Sequence, residues 1–211
     1  NIDTLIFDFG GVIINLDYSK PVSEFKKLGI LDSKKLYSKK EQTKLFDSLE
    51  CGQISNENFL NEIRKKSNTN DLELIKKAWN SILLNIPEER VHLLKKLSSK
   101  YKIFLLSNTN SIHLKEIISS YGEKKWKNFI SIFNDVYFSN QIGMRKPNEN
   151  IFFHVINKNK LDLSKTLFID DTSQHIKTAK KIGFKTYHLT DKEDITSLFL
   201  EKAQQEHHKY L

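Results

Sequence analysis

A carboxylate stands where an apolar run gives way to paired glycines, in Thr4-Leu5-Ile6-Phe7-Asp8-Phe9-Gly10-Gly11-Val12-Ile13-Ile14. The run has the length and residue types of a buried strand, and the glycines end it. A charge at such a place is costly unless something pairs with it, so Asp8 is expected to bind a metal or to react rather than to pack. Similar short apolar runs recur along the chain with amphipathic stretches between them. That alternation predicts a parallel sheet covered on both faces. The expected strands are residues 4–9, 102–107, 135–138, 166–170 and 185–189. Helices are expected over 111–120, 148–157 and 173–182, the last stopped by Gly183. The result is an α/β, doubly wound, five-stranded parallel core.

Between the first two strands lies a long stretch with helical periodicity and no convincing strand. Phe46, Leu49, Ile54, Phe59, Leu60 and Ile63 recur at three-to-four spacing, as do Leu72, Ile75, Trp79 and Leu83. Ser55 and Asp71 are candidate N-caps, Gly52 separates two helices, and Pro87 stands where a returning helix can begin. The chain therefore divides into a core of residues 1–16 and 88–211 and a helical cap of residues 17–87. An insertion at this point sits over the carboxyl ends of the sheet, where ligands of open α/β folds bind. Tyr18, Glu50 and Phe59 are expected to shape the pocket it covers.

Composition narrows the partners. The 38% hydrophobic and 28% charged residues are those of a globular protein, and no apolar run approaches the ~18 residues that span a bilayer. The net charge of +8 comes from 34 Lys and Arg scattered through the chain rather than gathered into a basic stripe with aromatics. Neither nucleic acid nor membrane is expected as a partner. The charge still favours the approach of small phosphorylated anions. A single Cys51 forms no intrachain disulfide and reads as a small buried hydrophobe; with no secretory pattern at the start, it points to the cytoplasm. The sequence specifies no oligomeric state.

Polar residues gather at one edge of the expected sheet. Asp8 follows the first strand, Ser107-Asn108-Thr109-Asn110 the second, Gly143-Met144-Arg145-Lys146-Pro147 the third and Asp170-Asp171 the fourth. With a phosphate ester as substrate each has a use. Asp8 can attack phosphorus, and Asp8, Asp171 and Asp170 make a hard oxygen site suited to Mg²⁺. Ser107 and the backbone amides of Asn108 and Thr109 can donate to phosphoryl oxygens, and Ser107 is also placed to cap the next helix. Lys146 can stabilise the same oxygens and keep Asp8 ionised.

In order and in residues, these four motifs resemble those of haloacid dehalogenase-superfamily hydrolases, over nearly the whole chain. They are most similar to the α-D-glucose-1-phosphate phosphatase-like subgroup with Asp-x-Gly-Asn/Gly-Val. The resemblance implies a Rossmann-like core with a helical cap and a Mg²⁺-dependent phosphatase acting on a small phosphorylated metabolite, such as a sugar phosphate, through an aspartyl phosphate. It implies Asp8 as nucleophile, Ser107 as phosphate binder, Lys146 as charge stabiliser and Asp171 as principal metal ligand, with Asp170 second. His175 is read as a helix residue at the rim. In the family a second aspartate stands where this chain has Gly10. Its backbone carbonyl binds the metal, a task glycine keeps, whereas its carboxylate gives acid-base help of ~10²–10⁴-fold, which glycine loses. Asp17 is a candidate replacement, with capping of the first cap helix as its other role. Sugar 1-phosphates and acyl phosphates, having better leaving groups, would tolerate the loss best. Two other readings remain open: a metal-independent 2-haloacid dehalogenase and a catalytically weak phosphate-binding protein on the same fold.

Overall fold

The computed structural model describes residues 1–37 and 43–199; residues 38–42 of the expected cap and 200–211 of the expected core lie outside them. Five strands, β1 (Thr4–Phe7), β2 (Lys102–Ser107), β3 (Asp135–Phe138), β4 (Thr166–Asp170) and β5 (Lys185–His188), form one parallel sheet in the order β3-β2-β1-β4-β5. The central strand is β1, and it ends two residues earlier than its apolar run suggests, because Phe9 already belongs to the turn. Side chains alternate between faces. Leu5, Phe7, Leu105 and Ile169 join the apolar cluster on one side, while Ile6, Phe104, Leu106 and Phe168 join the cluster on the other. Both faces are therefore buried, which is why these strands read as continuous apolar runs.

Helices α1 (Ser19–Lys27), α2 (Ser33–Leu36), α3 (Lys44–Glu50), α4 (Asn56–Arg64) and α5 (Leu72–Asn80) fill the insertion. Ser55 caps α4 by accepting from the Asn58 N–H, and Asp71 caps α5 by accepting from Glu73 and Leu74. These helices gather around their own apolar cluster of Phe25, Phe46, Phe59, Ile63, Ile75 and Trp79. Phe59 is wholly buried in it and does not reach the cavity below. The core helices include α6 (Glu88–Ser98), α7 (Ser111–Tyr121), α8 (Glu123–Ile130), α9 (Ser139–Ile142), α10 (Glu149–Asn159) and α11 (Ser173–Ile182). Among the described residues no helix is long and apolar enough to cross a membrane.

The two connections between core and cap run side by side. Asn15 donates to the Asn85 carbonyl at 2.9 Å, Leu84 to Asn15 at 3.0 Å and Asp17 to Ile82 at 2.9 Å, around an antiparallel bridge from Leu16 to Leu83. Arg90 braces this ribbon from below. Its Nη1 donates to the Ile13 carbonyl while Nε and Nη2 hold Asp194. Above the sheet, the cap rests on α7: Ser111 donates to Asn56 at 2.6 Å, and the His113 ring lies on Trp79.

Candidate active site

Register places the charges. Phe7 of β1 pairs with Leu105 of β2 and Ile169 of β4, so the residues just beyond these strands meet in one crevice. Asp8 follows Ile6 on the Phe168 face, and Lys146 arrives there from the loop after α9. The Lys146 ammonium is fully buried and donates to Asp8 Oδ1 at 2.9 Å, Asp170 Oδ2 at 2.6 Å and the Leu106 carbonyl at 2.9 Å. Phe168 lies under it, 5.4 Å from ring centre to nitrogen. Asn108 fixes the Lys146 backbone, donating to its carbonyl and accepting from its N–H. Burial opposes the ammonium, but Asp170 and Asp8 outweigh it and hold the Lys146 pKa above the usual lysine value. Asp8 is raised well above the carboxylate range by burial and by the neighbouring Asp170 carboxylate, with Lys146 pulling the other way.

Asp170 and Asp171 take different parts. Asp170 is wholly buried and absent from the cavity wall; besides Lys146 it accepts from the Thr172 N–H and contacts His175 Nδ1 at 2.9 Å. Burial alone would raise its carboxyl, yet Lys146 and His175 hold it below the ordinary range. It supports Lys146 through that ion pair. His175 is correspondingly a buried partner of Asp170 on the helix that also lines the cavity, and burial pushes its pKa down. Asp171 does face the cavity, as do Asp8 and Gly10. Gly11 adopts φ +72°, and a Cβ there would stand 2.2 Å from Asp171 Oδ2, so glycine lets that carboxylate lie against the turn. Asp8, Asp171 and the Gly10 carbonyl form an oxygen-only donor set that fits Mg²⁺. Asp8, Asp170 and His175 also bring ligand atoms within 4.8 Å of one another, but the Lys146 ammonium already sits against both carboxylates there.

Ser107 is buried and lines the cavity beside Asn108 and Thr109. The Thr109 amide, expected to face phosphate, donates instead to Ser139 Oγ at 2.9 Å. Helix α7 is capped not by Ser107 but by Asn110, whose side chain accepts from the His113 N–H at 3.0 Å. Asp17 is not on the cavity wall. Its carboxylate accepts from the Ser19 N–H and hydroxyl, bonds that lower its pKa and hold the first turn of α1.

The cavity encloses about 560 Å³ between the sheet edge and the cap. Its roof includes Tyr18 and Tyr37, stacked at 6.0 Å, together with Asp47 and Glu50 of α3. Arg145, next to Lys146, reaches up to this roof, with Nε 2.8 Å from Glu50 and Nη1 3.2 Å from Asp47. Sequence reasoning gave Arg145 no role, because its partners lie far away in the chain. Its place in a strand-end loop beside Lys146 was the one available signal.

Comparison with known proteins agrees with this architecture. The chain is 32% identical over 187 residues to a D-ribitol-5-phosphate phosphatase of Bacteroides thetaiotaomicron, covering 88% of this chain and 91% of that protein. A crystal structure of a mutant HAD family enzyme from that organism, in complex with magnesium and inorganic phosphate, superposes with a TM-score of 0.86. It is 34% identical, over 94% of this chain and 99% of the other. A structure of a HAD-like family hydrolase from Porphyromonas gingivalis gives 0.82 at 33% identity, over 94% and 98%. A sequence model of the haloacid dehalogenase-like hydrolases matches residues 2–183, and the chain belongs to that family.

Proposed function

We propose that this chain, a phosphatase of the haloacid dehalogenase-like family, hydrolyses the monoester of a small phosphorylated sugar or polyol with Mg²⁺, through a phosphoaspartate on Asp8. One observation carries the reading: the Asp8 carboxylate lines the cavity with its Oδ1 already held by the Phe9 N–H at 2.7 Å and by Lys146. The Asp8 oxygen attacks phosphorus, and the bond to the leaving oxygen breaks with its electron pair going to that oxygen. Water then attacks the phosphoaspartate, breaking the bond to Asp8 and freeing phosphate. Ser107 and the strand-end backbone at Asn108 orient the phosphoryl group, and Lys146 pulls against the burial that favours a neutral Asp8 and aligns its carboxylate. Held by Asp8, Asp171 and the Gly10 carbonyl, Mg²⁺ would supply positive charge between the nucleophile and the anionic substrate.

The same reading divides the chain into a core of residues 1–16 and 88–211 and a cap of residues 17–87, supported by the cap's own apolar cluster and the paired connections. It puts the enzyme in the cytoplasm, where phosphorylated metabolites occur. The missing carboxylate at Gly10 argues for an activated leaving group, whereas the Bacteroides relative is named for a primary alkyl phosphate. We follow the relative toward polyol and sugar phosphates, which leaves a proton donor to be found. The test is hydrolysis of 4-nitrophenyl phosphate with Mg²⁺ and with chelator, followed by a panel that includes ribitol 5-phosphate and hexose 1- and 6-phosphates. Asp8→Asn should lose at least about 10³-fold. Equal rates for the two proteins, or full activity in chelator, would overturn the proposal.

A further inference from the structure

We infer that Tyr18 is the proton donor and acceptor of this site, in place of the carboxylate that position 10 lacks; the inference rests on the phosphatase reading above. The chain that leaves Asp8 passes Gly10, crosses the cavity wall at Ile14 and Leu16, and delivers Tyr18 to the same cavity. Gly10 has no positive φ, so its backbone would accept a side chain. A Cβ there, however, would meet Leu16 Cδ1 at 2.8 Å. Leu16 thus fills the space beside Gly10, and its place is set by the bridge to Leu83. Two residues further on, the ribbon offers a phenol where it offers no carboxylate.

Tyr18 is held on both sides. The Asp17 N–H is tied to Ile82, the Asp17 carboxylate accepts from Ser19, and the Tyr18 ring stacks on Tyr37 at an interplanar angle of 13°. Burial raises the phenol's pKa well above its ordinary value, and Tyr37, Asp171, Asp8 and Glu50 add to the rise, so the hydroxyl carries its proton at neutral pH. On the same wall Asp47 and Glu50 are engaged with Arg145 and His175 with Asp170, while the second phenol, Tyr37, is hydrogen-bonded to Tyr18.

The proton balance closes over the two half-reactions. As the phosphorus–oxygen bond breaks, the Tyr18 hydroxyl gives its proton to the leaving oxygen, forming the alcohol and a phenolate. In the second half the phenolate takes a proton from the attacking water as the bond to Asp8 breaks. Phosphate, the Asp8 carboxylate and the Tyr18 phenol are restored.

The experiment is Tyr18→Phe, followed with a series of phosphate monoesters whose leaving groups range from 4-nitrophenol to a primary alcohol such as ribitol. An aryl leaving group needs no proton, so 4-nitrophenyl phosphate should keep its kcat/KM within about 3-fold. The alkyl phosphates should lose ~10²-fold or more, and the dependence of kcat/KM on leaving-group basicity should steepen. Equal losses across the series would show that Tyr18 only supports the structure, and unchanged alkyl turnover would show that it moves no proton. Either result overturns the inference. Failure of the phosphatase reading looks different, because the unmodified enzyme would then lack Mg²⁺-dependent turnover of 4-nitrophenyl phosphate.

Discussion

The floor and the roof of the cavity are built on different principles. On the floor, Lys146 and Asp170 are completely sealed from solvent and share a network with Asp8 in which each charge is the others' solvation. On the roof, the Arg145, Glu50 and Asp47 side chains are 19%, 10% and 41% exposed, and their ion pairs join two separately packed layers. A sealed network has no substitute for a lost member. An open one can trade a partner for water. Changes to the floor should therefore damage every substrate alike, and changes to the roof should alter which substrates are accepted.

Lys146→Met is the most severe test of that contrast. It leaves Asp8 and Asp170 buried without their cation, so turnover of all monoesters should fall by about 10²–10³-fold and unfolding should be easier by on the order of 3–5 kcal/mol. Steady-state kinetics and urea denaturation measure both, and a loss confined to one substrate would erase the distinction between floor and roof. Arg145→Gln should be milder and selective. Removing its charge-assisted bonds to the cap should raise KM for polyol phosphates by roughly 10-fold while 4-nitrophenyl phosphate changes by about 2-fold. Parallel changes for both substrates would put Arg145 with the floor.

The seam between the layers gives the smallest effect, and a pH-dependent one. Burial pushes the His113 pKa down to about 3 from an ordinary value of 6.5. Between those values the unfolded chain binds the proton and the folded one does not. The neutral imidazole's contribution is thus intact above pH 6.5 and is lost progressively as pH falls toward 3, by ~2 kcal/mol at pH 5. His113→Gln should remove that slope from a series of denaturation curves at pH 7, 6 and 5. An unchanged slope would show that the seam is not what acid weakens.

The floor was legible in the sequence because strand ends in a parallel sheet have a known destination. Asp8, Ser107, Lys146 and Asp171 could be placed together without knowing any contact between them. What the sequence left ambiguous was the direction of side chains at a turn. Asp170 is the last residue of β4 and continues the Phe168 face toward Lys146, whereas Asp171, one residue on, turns into the cavity. Strand alternation carried that information, yet the first residue beyond a strand does not obey it, so only the family resemblance ranked Asp171 above Asp170. Thr109 differs for another reason, since its amide is taken by Ser139 at the start of α9. Helix α8 left its own trace in Trp126, Phe129, Ile130 and Phe133 after Gly122, helical spacing in a stretch where no element was expected. Of the roof, Tyr18 and Glu50 were anticipated and do line the cavity, but the pairing of Arg145 with α3 was beyond reach because the two meet only after the cap has folded onto the core.

The side-by-side connections at Asn15 and Asn85 also bear on how such an enzyme can diversify. Because the chain leaves the core and returns to it along a short ribbon held by three backbone hydrogen bonds, everything between is an excursion whose ends meet at one place. Such an excursion can be lengthened, shortened or exchanged for another whose ends meet at the same separation. The catalytic floor would keep its geometry while substrate preference is rewritten from above. If Tyr18 is the proton carrier, the boundary of a transplant matters to the residue: a graft that begins after Ser19 imports a new specificity, and one that begins at Asp17 replaces part of the chemistry as well.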